Sequence, residues 1–158
     1  MPFARSTADN GGLPPWKGDY HNDLNTQMTY LAYLDAGLFE SGESWLNFNI
    51  ERLPRYRQFA RSFYGVDGAI VPGVMGFDGA PLGGWGMYSL SPTNAAWVAQ
   101  AFHLHWRYTR DEEFLKSKAY PFCAEVATAI KAILKPDRLG KLKLPLSSSP
   151  EIHDNSYR

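Results

Sequence analysis

Ser91-Pro92-Thr93-Asn94-Ala95-Ala96-Trp97-Val98-Ala99-Gln100-Ala101-Phe102-His103-Leu104-His105-Trp106-Arg107-Tyr108-Thr109-Arg110-Asp111-Glu112 is the stretch from which the fold is read. Ser91 as a cap and Pro92 at the first helical position predict a helix from about Pro92 to Tyr108. Trp97, Ala101, Leu104 and Tyr108 recur at helical spacing and line one stripe. Thr109-Arg110-Asp111 leaves room only for a turn. A brief helix over 112–118 follows, and Pro121 opens another to about Leu134, with Val126, Ala129 or Ile130, and Ile133 as its apolar stripe. Pro136 closes it. Helices joined by so short a turn must pack side by side.

The same pattern extends toward the N-terminus. A helix is expected from near Asp23 or Asn25 to about Glu40, capped by one of those two residues. Met28, Leu31, Leu34 or Asp35, and Leu38 stripe it, and Ser41-Gly42 should stop it. A second helix is expected from Ser44 to Tyr64, kinked or split at Pro54 and ended by Gly65. Residues 65–90 are glycine-rich, with Pro72 and Pro81, and read as one long loop of the kind that often carries function. Residues 1–15 form an irregular lead-in and 135–158 an irregular tail. No alternating stretch reads as a strand. The expectation is an all-α chain of helical hairpins with long loops on one face, as in α/α solenoids and toroids.

Composition narrows the partners. The 158 residues carry 16 Lys+Arg against 16 Asp+Glu, for no net charge. Phosphate backbones and anionic membrane surfaces demand a basic surplus, so neither nucleic acid nor a membrane is an expected partner. No apolar run is long enough to span a bilayer. The N-terminus lacks the apolar core of a signal peptide, which leaves localisation open. The single Cys123 reads as core and permits no cysteine-built zinc site. Aromatic residues make up 15% of the chain. Most of these rings are expected in the core, and the remainder suit flat, uncharged partners such as sugars, whose C–H faces stack on rings.

Two segments carry candidate chemistry. Trp16-Lys17-Gly18-Asp19-Tyr20-His21-Asn22-Asp23-Leu24-Asn25-Thr26-Gln27-Met28 gathers two carboxylates, an imidazole, amides and two aromatics before a helix. Helix capping explains one such polar side chain, not four or five, and the surplus can grip hydroxyls. Leu146-Ser147-Ser148-Ser149-Pro150-Glu151-Ile152-His153-Asp154-Asn155 places Glu151 in a helix-poor stretch. A loop glutamate is ordinarily a solvated charge, and acid catalysis requires that it be held protonated. His103 and His105, two apart on a helix, point in different directions and make a poor metal pair. No phosphate loop or nucleophile elbow is present in the sequence.

Read together, these segments resemble glycoside hydrolase family 95, best known for inverting α-L-fucosidases. The family's Asn-x-Asn-x-Gln-Met run corresponds to Asp23-Leu24-Asn25-Thr26-Gln27-Met28. Its Ala-Trp-led helix corresponds to Ala96-Trp97-Val98-Ala99 through Glu113-Phe114-Leu115. The Tyr120-Pro121 start follows, and the Pro-Ser-x-Ser-Pro-Glu run corresponds to Leu146 through Glu151. The order and spacing of these motifs span roughly residues 14–155.

The resemblance implies an (α/α)6 toroid, here incomplete, with the site in a cup of loops at one end. It implies Glu151 as general acid and Asn25 as one of two asparagines orienting the attacking water. Asp23 stands where the second asparagine is found, a departure that bears on sugar specificity. Trp16, His21 and Trp85 are the expected sugar contacts. The second carboxylate, the family's general base, lies beyond Arg158, so residues 1–158 are expected to be part of a catalytic domain, inactive alone. Neither metal nor cofactor is implied, and the expected partner is an oligosaccharide or glycan. Two other classes remain open: a non-catalytic carbohydrate-binding module, and a helical scaffold associating through exposed helix faces.

Overall fold

The computed structural model describes residues 18–82, 90–145 and 147–148. Helix α1 (Asn25–Tyr30) runs into a single 3-10 turn at Leu31–Tyr33. Helix α2 (Phe39–Phe59) ends in a π turn at Ala60–Tyr64. Helix α3 is Thr93–Thr109. The short α4 (Glu112–Phe114) passes through a second π turn, Leu115–Ala119, into α5 (Tyr120–Ile133). Strand β1 (Tyr20–His21) pairs antiparallel with β2 (Val74–Met75), and β3 (Lys135–Pro136) with β4 (Leu142–Lys143).

The core is built where α3 lies along α5. Val98 and Phe102 from α3 meet Phe122, Val126 and Ala129 from α5, all essentially sealed from water. The Phe102 and Phe122 rings stack with centroids 4.2 Å apart. Burying such a ring contributes roughly 1.5–3 kcal/mol, so this pair is a main source of cohesion. Leu46, Leu53, Tyr56 and Phe59 of α2 close the other side. The glycine-rich loop does not skirt this core. Its Ala69, Ile70 and Val71 are buried within it, held by Ala69 N–H to Glu125 O (3.1 Å) and Ile70 N–H to Tyr56 O (3.3 Å). That threaded segment carries β2, and β2 fixes β1.

The described residues are mostly helical, as expected, and several boundaries differ. The first helix is short: the chain turns at Leu34–Gly37, where Gly37 takes a positive φ of 68° that only glycine adopts cheaply. Ser41 and Gly42 lie inside α2, not at a helix end, and Ser44 is not its cap. Gly42 is there because the Tyr33 ring packs flat on it; an added Cβ would overlap that ring. Pro54 does not split α2, which is helical through it. Neither Asp23 nor Asn25 caps α1, whose cap is Leu24 without a side-chain bond. Likewise Pro92 occupies the cap position of α3 and Ser91 forms no cap. The expected pair 112–118 and 121–134 is one rod interrupted only by the π turn, started by Asp111 Oδ1 accepting from Phe114 N–H at 3.0 Å. The two strand pairs are additional to the all-helical expectation, and β3–β4 gives part of the expected irregular tail a defined turn.

The apolar stripes expected for the first helix and for α3 are turned around. Met28, Leu31, Trp97 and Tyr108 are exposed, whereas Thr26, Gln27 and Tyr33 of the first helical segment and Val98, Phe102 and His105 of α3 face inward. Local hydrogen bonds explain the first inversion: Thr26 Oγ1 donates to His21 O (2.7 Å) and Gln27 Nε2 to Asn22 O (2.6 Å), so these polar side chains are buried already satisfied in part.

His105 is buried packing. Its Nδ1 lies 3.0 Å from Tyr33 Oη, its Nε2 3.8 Å from Glu43 Oε1, and the Phe114 ring centroid is 4.5 Å away. Burial lowers its pKa below the usual histidine value; Glu43 and Asp111 pull upward and Lys118 downward, without reversing the sign. The unfolded chain therefore binds the proton first as pH falls. Stability is full above about pH 6.5 and falls below it. A urea-midpoint series from neutral to mildly acid pH checks this: His105→Gln should flatten the decline, and an unchanged slope would remove His105 as its source.

Candidate functional site

The site is built on the β1 strand and the first turn of α1. Pairing with β2 fixes the strand, with Tyr20 opposite Met75 and His21 opposite Val74. Asn22 then locks the exit. Its N–H donates to Gly73 O (2.7 Å) and its Nδ2 to Pro72 O (2.9 Å), and its side chain is fully buried. Tyr20 turns into the core and stacks on Phe48 at 4.8 Å. These anchors leave Asp19, His21 and Asp23 as a compact polar array. Asp19 Oδ1 is 2.7 Å from His21 Nε2, and His21 Nδ1 is 3.8 Å from Asp23 Oδ1. The three side chains are only 11%, 11% and 5% exposed, so the low dielectric magnifies each charge. Asn25 is exposed at the first position of α1, with no capping role for its side chain.

Contacts along α3 place the segment that follows the cluster. Asp35 accepts from Tyr108 Oη at 2.8 Å, Tyr33 meets His105, and Gln27 lines with Trp97 and Gln100 a small cavity of about 50 Å³. The numbers rise together, so the segment from Gln27 to Asp35 follows α3 in the same direction. Leu90, just before α3, accepts a backbone hydrogen bond from Ser148 N–H at 2.9 Å. Ser148 thus lies beside the start of α3. Beside it opens a mainly apolar cleft of about 320 Å³, lined among others by Tyr64, Leu90, Pro92, Leu144 and Ser147.

Of the expected site residues, His21 and Asp23 lie together and Asn25 next to them. Trp16, Trp85 and Glu151 lie outside the described residues. Asp19 was part of the polar segment, yet only its contact with His21 singles it out. Ser91 was read as the cap of α3 and Asn94 was not singled out; both are buried polar groups at the start of α3. Their signal in the sequence is slight: polar side chains flanking a proline, indistinguishable from caps. Among the described residues no group of three or more His, Cys, Asp or Glu is arranged to hold a metal ion.

Comparison with known proteins fits this arrangement. The sequence model described as Glycosyl hydrolase family 95 catalytic domain matches residues 9–157. The chain belongs to glycosyl hydrolase family 95. Within this family it is 30% identical over 140 residues to Alpha-L-fucosidase 2 of Arabidopsis thaliana, a match covering 87% of this chain and 17% of that protein. It is 29% identical over 114 residues to Probable alpha-fucosidase A of Aspergillus niger (strain ATCC MYA-4892 / CBS 513.88 / FGSC A1513), covering 68% and 14% respectively. The family 95 chain therefore spans a small part of the length of both relatives, and residues 9–157, matched by the family model, include the β1–α1 cluster and the whole of α3 to α5.

Proposed function

We propose that this family 95 chain forms the acid- and amide-bearing part of an inverting, α-L-fucosidase-like catalytic domain. Glu151 is the general acid that protonates the departing glycosidic oxygen. A second carboxylate, not supplied by these residues, activates water on the opposite face of the sugar, at the ~6.5–9.5 Å carboxyl separation of inverting enzymes. Asn25 and Asp23 orient that water. His21, Trp16 and Trp85 contact the sugar. The observation that carries this reading is the match of residues 9–157 to the family 95 catalytic domain, supported by the buried Asp19–His21–Asp23 array that the match includes. The exposed stripes of Leu24, Met28, Leu31 and Trp97 support the incomplete toroid, since they are faces that a further helical layer would cover.

The test combines binding with turnover. L-Fucose added to the isotope-labelled chain should shift the backbone resonances of His21, Asp23 and Asn25. An aryl α-L-fucoside incubated with the chain alone should not be hydrolysed, whereas the intact catalytic domain should release β-L-fucose first, read by proton NMR. Release of the α-anomer first would remove the inverting mechanism. Absence of any fucose-induced shift at the three residues would remove the fucosidase-like reading.

A further inference from the structure

Backbone pairing fixes where His21 starts but not how its ring is turned. β1 is held by β2, and Asn22 anchors the chain on the Gly73 and Pro72 carbonyls, yet none of these bonds touches the imidazole. Asp19 directly precedes β1, and along an extended chain side chains two apart share a face. Its Oδ1 comes within 2.7 Å of His21 Nε2, whereas Asp23 Oδ1 stays 3.8 Å from Nδ1, beyond direct hydrogen bonding. Of the two carboxylates, Asp19 is therefore the one in contact with the ring. Apart from this contact, Asp19 Oδ1 is buried with no hydrogen-bond donor among the described residues, so neither a helix cap nor a turn accounts for it. A carboxylate oxygen taken out of water needs a paired partner to offset the cost, and the imidazole is the partner this fold gives it.

We infer that Asp19 is a positioning residue of the proposed site: through Nε2 it holds the His21 ring in the orientation from which that ring meets the sugar. The inference rests on the glycosidase reading, in which His21 touches the sugar and Asp23 orients water, and it gives the third member of the array a role. A carboxylate beside Nε2 favours the ring proton on that nitrogen and leaves Nδ1 on the Asp23 side. Without the carboxylate the ring is free to turn about its side-chain torsions, and that freedom is lost again each time sugar binds. Asp19 acts through His21 and has no contact of its own with the sugar, so its effect vanishes when the imidazole is removed.

The experiment pairs imidazole nitrogen NMR of the isotope-labelled chain with L-fucose titrations of the unmodified chain, Asp19→Ala, His21→Ala and the double variant, with Asp19→Asn and melting curves alongside. Without sugar, Asp19→Ala should redistribute the His21 ring proton between the two nitrogens, and Asp19→Asn, which keeps an acceptor oxygen in place, should do so less. Asp19→Ala should weaken fucose binding about tenfold, about 1.4 kcal/mol, and should cause no further loss in the His21→Ala background. A merely structural aspartate would weaken both backgrounds alike and lower Tm, and that result overturns the inference. Unchanged fucose binding in Asp19→Ala, with the shifts at His21, Asp23 and Asn25 intact, also overturns it while the fucosidase-like reading stands. If fucose shifts none of these residues in the unmodified chain, that reading falls and the ring signals decide alone: moved by Asp19→Ala they uphold the hold on His21, unmoved they overturn it.

Discussion

Gly68→Ala is expected to lower Tm by about 10 °C and to loosen the β1 strand. Gly68 has a φ of 92°, outside the range L-residues favour. A left-handed conformation costs an ordinary residue roughly 1–2 kcal/mol. A Cβ at this position would also sit 2.6 Å from the Ala129 backbone nitrogen and overlap the Glu125 carbonyl oxygen. Both are backbone atoms inside α5, and a helix backbone cannot yield as a side chain does. Overpacking of that kind adds about 1–3 kcal/mol. At roughly 2–4 °C per kcal/mol for a chain of this size, the sum reaches about 10 °C.

Gly140→Ala separates the two causes. Gly140 has a similar φ of 76°, but nothing lies within 4 Å of its added Cβ. It therefore suffers the conformational cost alone, and its Tm should fall by about a third as much as that of Gly68→Ala. The remote consequence follows from the threaded segment. Residues 69–73 leave Gly68, cross the core, and end in the Pro72 and Gly73 carbonyls that hold Asn22. Displacing them moves β2 and with it the frame of His21. Equal melting temperatures for the two variants would show that the α5 contact is not tight.

The helical class and the polar cluster were legible because each depends on local chemistry. Pro121, Asp111 and the Val126–Ala129–Ile133 stripe specify the α5 rod by spacing alone, and the structure buries that stripe as the spacing requires. The α1 region was not legible in the same way. Its apolar residues Met28 and Leu31 face outward and its polar Thr26 and Gln27 face inward, held by the carbonyls of His21 and Asn22. Hydrophobic periodicity ranks side chains by transfer from water and cannot register a polar group whose partner is supplied by the turn before it. The same blindness hid Ser91 and Asn94, which resemble caps in sequence.

Boundaries failed where a tertiary contact overrode a local preference. Gly42 should end a helix by propensity, yet sits within α2 because the Tyr33 ring needs the space a side chain would fill. The threading of Ala69–Val71 through the core has no sequence signature beyond a short apolar run within a glycine-rich loop. The array of Asp19, His21 and Asp23 lies between these extremes. Alternation along β1 places His21 and Tyr20 on opposite sides, and the residue types were visible, but the 2.7 Å approach of Asp19 to His21 depends on the strand pairing that the sequence concealed.

Glu151→Gln, in the intact catalytic domain, is expected to reduce kcat about 10²–10⁴-fold on substrates whose leaving group is an alcohol. Glutamine keeps the size and hydrogen-bonding reach of glutamate but has no acidic proton to deliver. A sugar or alkyl alcohol leaves poorly as its anion, so the lost proton falls directly on the rate. A nitrophenolate leaves without assistance, so the same variant should retain far more activity on a nitrophenyl α-L-fucoside. The diagnostic is thus the slope of log kcat against leaving-group pKa, which should steepen in Glu151→Gln. Asp23→Asn provides the contrast. It replaces a carboxylate by an amide beside His21, 3.8 Å away, without touching proton delivery. Its effect should therefore be the same for good and poor leaving groups. A Glu151→Gln enzyme whose slope matches that of the unmodified domain would remove Glu151 from proton transfer, however large the drop in rate, because a loss that ignores the leaving group is a loss of fold or of sugar binding.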